Sequence, residues 1–406
     1  MAKSDVMNSN NANTRTIIAT CPACGLLCDD VLVENNQNKI KVLANGCAKS
    51  VTFFEQATGN ITPSIAGKPA TLDEAIAKAA QILKTAHYPL FAGLSTDVQG
   101  FRAVYDLAQK SDATLQHMNT ASSQRNLRVL QSTGWQTTTL TEVKNRADVI
   151  VCIGTDVVTL NPRFFERFIQ KDGMFIDAKQ REIIFIGEDI QKNDALESAS
   201  LLACRAYDLP EITLALRALV LGKKLKAAQI AGIQITNLQA VADKLKQAKY
   251  AVLAWVAKDL DYPHAELTIQ NITETVAILN QTTRAAGLPL GGSDGDTGAN
   301  YANAWLSGLT LNDNPSIQRD AVVWINSSSA DKNPPLSDSP LIVLGNANSQ
   351  FETEPEVFIP IATPGLDCSG TLFRVDSSVI LPLKKCHETN LPTLSEVVNR
   401  IEAMLP

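Results

Sequence analysis

Charge is scarce in this chain of 406 residues: Asp, Glu, Lys and Arg together make up only 19%, against roughly 25% in an average soluble domain. Such a surface suits a chain that sits among partner subunits. The net charge of −6 gives no support to nucleic-acid or anionic-membrane binding. No apolar run reaches the roughly 18 residues needed to span a bilayer. The opening Met1 to Arg15 is polar and asparagine-rich, with no stretch of signal-peptide length. Eight cysteines are too few for a disulfide scaffold of this size. A cytoplasmic protein with reduced thiols is the expectation. There is no Walker loop, no Gly-x-Gly-x-x-Gly and no Gly-x-Ser-x-Gly elbow, so phosphate cradles and hydrolase nucleophiles lack sequence support. The four histidines, His87, His117, His264 and His387, form no close ligand pair.

An apolar share of 45% excludes disorder, and the length argues for two or three domains. The cysteines are unevenly spread. Cys21, Cys24, Cys28 and Cys47 fall within 27 residues, whereas Cys152, Cys204, Cys368 and Cys386 stand alone. The clustering marks residues 1–60 as a small unit, framed by strand-like runs at Thr16-Ile-Ile-Ala, Asp30-Val-Leu-Val and Ile40-Lys-Val-Leu. From about Ile61 strands and helices alternate. Thr71-Leu-Asp-Glu opens a helix with a capping box. Buried strands are expected at 88–93, 147–153, 182–187, 250–255, 321–326 and 340–345, with helices near 211–220, 238–247 and 267–279. This is the α/β pattern of doubly wound, Rossmann-like parallel sheets, which bind ligands at the carboxyl ends of their strands. The loops after Gly93, Gly154 and Gly345 are therefore candidate binding loops.

The cysteine spacing is Cys-x2-Cys-x3-Cys-x18-Cys. Four soft thiolates suit an iron–sulfur cluster or a tetrahedral zinc ion. Structural zinc sites usually pair two Cys-x2-Cys knuckles. Here three cysteines share one loop and Cys47 comes from a distant Asn45-Gly46 turn, an arrangement closer to a [4Fe–4S] cubane. Zinc and an unliganded quartet stay open as alternatives. The run Gly291-Gly-Ser-Asp-Gly-Asp-Thr-Gly298 reads as a turn before a helix: its aspartates oppose an anion, and it lacks the acidic spacing of a calcium loop. Cys152, inside an apolar strand, reads as a small core residue. His117 reads as an ordinary surface or core histidine.

The stretch Cys21-Pro-Ala-Cys24-Gly-Leu-Leu-Cys28-Asp-Asp resembles the N-terminal signature of the formylmethanofuran dehydrogenase B subunits. Segments in the same order extend the resemblance: Glu142 to Ile150, Gly154, Asn161-Pro-Arg163, Thr297-Gly-Ala-Asn300 with Trp305 and Gly308, and Gly370 to Asp376. The resemblance implies a molybdopterin-oxidoreductase type of fold, with the cysteine-rich unit followed by an α/β domain of residues 61–120 and 286–406 and an inserted α/β domain of residues 121–285. It also implies a [4Fe–4S] cluster on Cys21, Cys24, Cys28 and Cys47.

Members of that family hold tungsten or molybdenum through two pterin dithiolenes and one Cys or selenocysteine, followed directly by His. The matching stretch here is Asn119-Thr-Ala-Ser-Ser-Gln-Arg125. Counted back from Gly134, Ser122 stands at the metal ligand and Ser123 at the histidine. A hydroxyl is harder than a thiolate and has a far higher pKa, and the missing imidazole removes a proton carrier. No catalytic residue and no molybdopterin or tungstopterin is therefore expected. The resemblance then implies a structural B subunit of the formyltransferase/hydrolase type in one-carbon oxidation. Its partners would be the zinc amidohydrolase-like A subunit, the C subunit and a formyltransferase subunit, with neither nucleic acid nor membrane. Two other readings are an active tungsten or molybdenum dehydrogenase subunit passing electrons through the cluster, and a pure iron–sulfur carrier.

Overall fold

The computed structural model describes residues 14–57, 59–188, 199–311, 319–335 and 337–406; Met1 to Asn13 of the polar opening stretch lie outside them. The chain first forms a three-stranded antiparallel sheet of Thr14–Ala19, Val31–Asn36 and Lys39–Ala44. Gln37 and Asn38 both take positive φ, 51° and 64°, as a two-residue hairpin turn that follows strand twist demands. Ile17, Ala19, Val31 and Val33 are buried against Phe53 and Phe54, the latter on the helix Ala48–Phe54.

Two parallel sheets follow. The first has five strands in the order Ser200–Ala203, Glu182–Gly187, Val149–Ile153, Ala251–Val256 and Ala285–Leu290, all parallel. The chain starts at the central Val149–Ile153, runs out to one edge, then returns to the other side. Strand order therefore reverses between Val149–Ile153 and Ala251–Val256. Alternate residues serve two layers: Ile150, Cys152, Val252 and Leu288 pack on one face, Val149, Val151, Leu253 and Trp255 on the other. Two buried faces explain why these strands read as continuous apolar runs.

The second sheet has seven strands, in the order Lys68–Pro69, Ser64–Ile65, Val357–Pro360, Leu341–Gly345, Ala321–Asn326, Pro89–Ser95 and Thr114–His117. Its five larger strands are parallel, and the two short ones form an antiparallel edge. Helices cover it on sequence signals that are easily traced. Thr71 caps Leu72–Thr85 through a hydrogen bond from Glu74 N (3.2 Å), and Glu74 answers by accepting from Thr71 N (2.8 Å). Thr393 and Glu396 repeat the device at Leu394–Glu402. Asp97 caps Val98–Lys110 by accepting from Gly100 N at 3.0 Å. Among the described residues no helix is long and apolar enough to cross a membrane.

Cys21, Cys24 and Cys28 share one buried apolar cluster with Phe164, Phe165 and Phe168 and with one face of the five-stranded sheet. The cysteine unit is thus packed onto that sheet.

Candidate functional site

All four clustered cysteines line one small cavity, together with Lys49 and Arg163. The loop is folded tightly: Cys21 N donates to Cys28 O (2.8 Å) and Leu27 N to Cys24 O (3.2 Å), with Leu27 at φ 44°. Cys47 precedes the helix Ala48–Phe54, and its N–H donates to Ser50 Oγ at 2.6 Å. Burial pushes the Cys21 thiol well above its ordinary pKa, and raises Cys24 and Cys28 as well. Each of the three also feels neighbouring thiols or carboxylates, which adds to the rise. Three thiols buried together favour no thiolate on their own; a positive group among them is what would draw out that form. Among the described residues, no three His, Cys, Asp or Glu side chains gather as a single metal ion requires. Four thiols on one cavity make up the soft donor set that both a zinc ion and an iron–sulfur cluster take.

Two arginines brace this pocket. Arg163 is 3% exposed and spends its whole guanidinium locally. Nη1 and Nη2 donate to the two carboxylate oxygens of Asp30 (2.7 and 2.9 Å), Nη1 also reaches Asn45 O (2.5 Å), and Nε and Nη2 donate to Glu166 (2.9 and 2.7 Å). Asp30 lies two residues after Cys28 and Asn45 two before Cys47, so a single side chain spaces the two cysteine-bearing segments. The ion pair with Glu166, then with Asp30, raises the Arg163 pKa further. Arg167 donates to Asp29 at 2.7 Å and lies 3.5 Å from Asp30; the charges of Arg167 and Arg163 partly offset the rise that burial imposes on Cys28.

A second cavity, of about 760 Å³, opens where the cysteine unit meets both parallel sheets. Its volume is in the range of sites for organic ligands. Ala23, Cys24 and Lys49 line both cavities. The loop after Gly154 contributes Leu160 and Asn161, and the loop after Gly345 contributes Asn348. The loop after Gly93 contributes nothing. A Cβ at Gly93 would lie 2.5 Å from Ile325 O, so that glycine serves close strand contact at a register shift. The walls come instead from segments following His117, Val256, Leu290 and Asn326, all at carboxyl ends of strands.

Ser122 and Ser123 both line this cavity, on the helix Thr120–Thr133. Ser122 Oγ donates to Asn119 O in its own first turn (2.8 Å), and Ser123 Oγ accepts from Asn300 Nδ2 (3.3 Å). Neither of these partners is a base.

The glycine-rich run is more than a turn. Gly291, Gly292, Ser293, Asp294 and Asp296 line the cavity, with positive φ at Gly292, Asp294 and Gly295. His117, 1% exposed, holds it in place. Its Nδ1 accepts from Asn119 N (3.0 Å), which leaves Nε2–H to donate to Asp294 O (3.1 Å). Burial pushes this imidazole down to about 4, so it is neutral. Asn119 Nδ2 spans Ser293 Oγ (3.1 Å) and the carboxylates of Asp294 and Asp296 (3.4 Å each), while Lys258 Nζ donates to Asn119 Oδ1 (3.4 Å). Lys332 pairs with Asp294 and, against the cost of burial, holds it below the usual carboxylate range. Burial and the neighbouring Asp294 raise Asp296 to about 6. Sequence reading missed this polar cluster, since its members are scattered over some two hundred residues; the one signal was the density of glycine and aspartate at 291–298. Cys152 is fully buried, as a core cysteine should be.

Fold and sites define an α/β protein with a thiol-lined pocket set beside an organic-ligand-sized cavity. No family model matches the chain. It is 26% identical over 403 residues to the B subunit of the tungsten-containing formylmethanofuran dehydrogenase 2 of Methanococcus maripaludis, covering 90% of this chain and 92% of that one. It is 25% identical over 378 residues to the B subunit of the formyltransferase/hydrolase complex Fhc of Methylorubrum extorquens, covering 84% of this chain and 97% of the relative. The crystal structure of the FhcABCD complex of M. extorquens with methylofuran contains a chain of the same fold, with a TM-score of 0.72 and 24% identity over 84% of this chain and 98% of that chain. The chain is thus a homologue of the B subunits of formylmethanofuran dehydrogenase and of Fhc over most of its length, as its motifs indicated.

Proposed function

We propose that this chain is a structural B subunit of a formyltransferase/hydrolase complex related to formylmethanofuran dehydrogenase, working in methanofuran-linked one-carbon oxidation. The observation that carries this reading is at Ser122 and Ser123. A tungsten or molybdenum dithiolene centre of the dehydrogenase type wants a thiolate from the protein and an imidazole beside it. Here the first hydroxyl is turned back onto Asn119 O and the second is bonded to Asn300. This donor set does not fit such a centre. The thiol quartet does fit a [4Fe–4S] cluster, which when bound supplies cross-links between the Cys21–Cys28 loop and the Cys47 turn. The M. extorquens neighbour is part of a four-subunit assembly. By analogy, formyl transfer and hydrolysis belong to other subunits, a formyltransferase and a zinc amidohydrolase-like chain. This polypeptide holds them together.

A second reading, an active tungsten or molybdenum subunit, draws on the tungsten-containing relatives and on the wall that Cys24 and Lys49 share between the two cavities. The two readings part in a single assay. The purified complex is given formylated methanofuran with a viologen dye. The scaffold reading expects formate to be released with no dye reduction. Dye reduction dependent on this chain overturns it.

A further inference from the structure

In the wall of the large cavity a group of hydrogen-bond donors finds no acceptor in the protein. From these donors we propose that the cavity is a binding site for an organic anion with an apolar body. The proposal rests on the reading above only in that no dithiolene metal centre claims the space. One wall is a face of the helix Thr120–Thr133, where Ser123 and Asn126 stand three residues apart and so side by side. An indole N–H can only donate, and that of Trp255 donates to Asn126 Oδ1 at 2.9 Å. This bond fixes the amide, and Asn126 Nδ2 then has no acceptor among the described residues. Ser123 Oγ accepts from Asn300 Nδ2 at 3.3 Å, which leaves its own O–H to donate.

Two lysines add charge to these donors. Arg125 Nη1 donates to Ala257 O at 2.8 Å and so ties the helix to the loop that carries Lys258. Lys258 Nζ reaches Asn119 Oδ1 at 3.4 Å, and Lys49 Nζ reaches Leu160 O at 2.8 Å. Both acceptors are neutral, an ammonium has three N–H groups, and neither lysine has an ion pair among the described residues. The carboxylates of the wall do not answer them. Asp294 pairs with Lys332 and, with Asp296, accepts from Asn119 Nδ2, while Asp331 is exposed. Asn161 Oδ1 and Ser329 Oγ, on lining residues, also lack partners, but both atoms are buried within the wall.

Leu127, Trp135, Leu160, Val256 and Leu290 give the same cavity an apolar surface. A bare inorganic anion would leave that surface and most of the 760 Å³ unused. A ring system or chain bearing an acidic group uses both, with apolar walls for contact and a few placed donors for orientation.

The test is a fluorescence titration of the purified complex with anilinonaphthalene sulfonate, which joins an apolar ring system to one anionic group. The parent is expected to show a saturable site, one for each copy of this chain. Lys258→Gln removes an exposed charge and should weaken binding about tenfold, the worth of one charge-assisted hydrogen bond. Asn126→Asp keeps the acceptor for Trp255 and replaces the free donor by a carboxylate oxygen, so it should weaken binding at least as much. Lys223→Gln, an exposed lysine after the helix Leu209–Val220, should match the parent. Phenylnaphthylamine, the same rings without the sulfonate, should bind the parent and Lys258→Gln alike. Equal sulfonate affinity in parent, Lys258→Gln and Asn126→Asp overturns the proposal, and so does the lack of a saturable site. If Asn126→Asp does not fold, Lys258→Gln decides alone. A complex that retains tungsten or molybdenum with a pterin instead overturns the scaffold reading beneath it.

Discussion

Gly25 packs against Gly291 so closely that a methyl group on Gly25 would stand 2.2 Å from the Gly291 carbonyl oxygen and 2.8 Å from Gly292 Cα. One residue belongs to the cysteine loop, the other to the wall of the large cavity. The two cavities therefore share a backbone contact that no side chain can enter, and Val375 N donates to Gly25 O at 2.9 Å on the same loop.

Gly25→Ala should cost about 1–3 kcal/mol, the usual penalty for overpacking, because both partners are backbone and cannot swing aside. Thermal unfolding of the complex checks this. A variant as stable as the parent would show that the loops are not in contact.

The thiol cluster is expected to behave as one unit. Cys24→Ser and Cys47→Ser should each lower bound iron and acid-labile sulfide sharply. Cys152→Ser should leave both at parent levels, since Cys152 lies inside a strand of the five-stranded sheet. Loss of iron in the Cys152 variant would contradict the assignment of ligands.

His117 supports the glycine-rich run from beneath. In His117→Phe, the Asp294 carbonyl and the Asn119 N–H lose their partners, at about 1–3 kcal/mol for each buried group left unpaired. Urea denaturation should show a lower midpoint. His117→Gln, which keeps a donor and an acceptor, should recover part of the loss.

Asp296 gives stability a definite pH dependence. Its folded pKa, raised to about 6 from the ordinary value near 3.9, means that between about pH 4 and 6 the unfolded chain gives up the proton first. Stability from this group therefore falls as pH rises through that window. His117, lowered to about 4, acts in the opposite direction, because the unfolded chain takes up a proton as pH falls below about 6.5. Asp296→Asn isolates the first effect. It should raise the melting temperature at pH 7 and leave it nearly unchanged at pH 4, where Asp296 is largely protonated in the folded chain and half-protonated in the unfolded one. An equal shift at both pH values would contradict the raised pKa.

Much of the fold is legible in the sequence because doubly buried strands announce themselves. Ala321–Asn326, Leu341–Gly345 and Ala251–Val256 are almost wholly apolar and carry buried residues on both faces. Strands at sheet margins are quieter. Thr114–His117 is short and mostly half-buried, and Ala285–Leu290 contains Gly287 and Pro289, which an edge strand tolerates and a central one does not. The cysteine pocket is legible from spacing alone, since the four residues that line it together lie within 27 positions of one another. The cluster of His117, Asn119, Lys258, Asp294, Asp296 and Lys332 is not, because five of these residues look like ordinary polar loop residues until two sheets bring their strand ends together. The arginine brace is hidden for the same reason: only the fold puts Arg163 and Arg167 beside Asp29 and Asp30.

Elemental analysis of the purified complex bears most directly on the account, since the absence of sulfur and imidazole from Ser122 and Ser123 is its foundation. Mass spectrometry of the metals should find about four iron atoms for each copy of this chain, the content of one cubane, and no stoichiometric tungsten or molybdenum. One tungsten or molybdenum per chain, retained with a pterin, would contradict it.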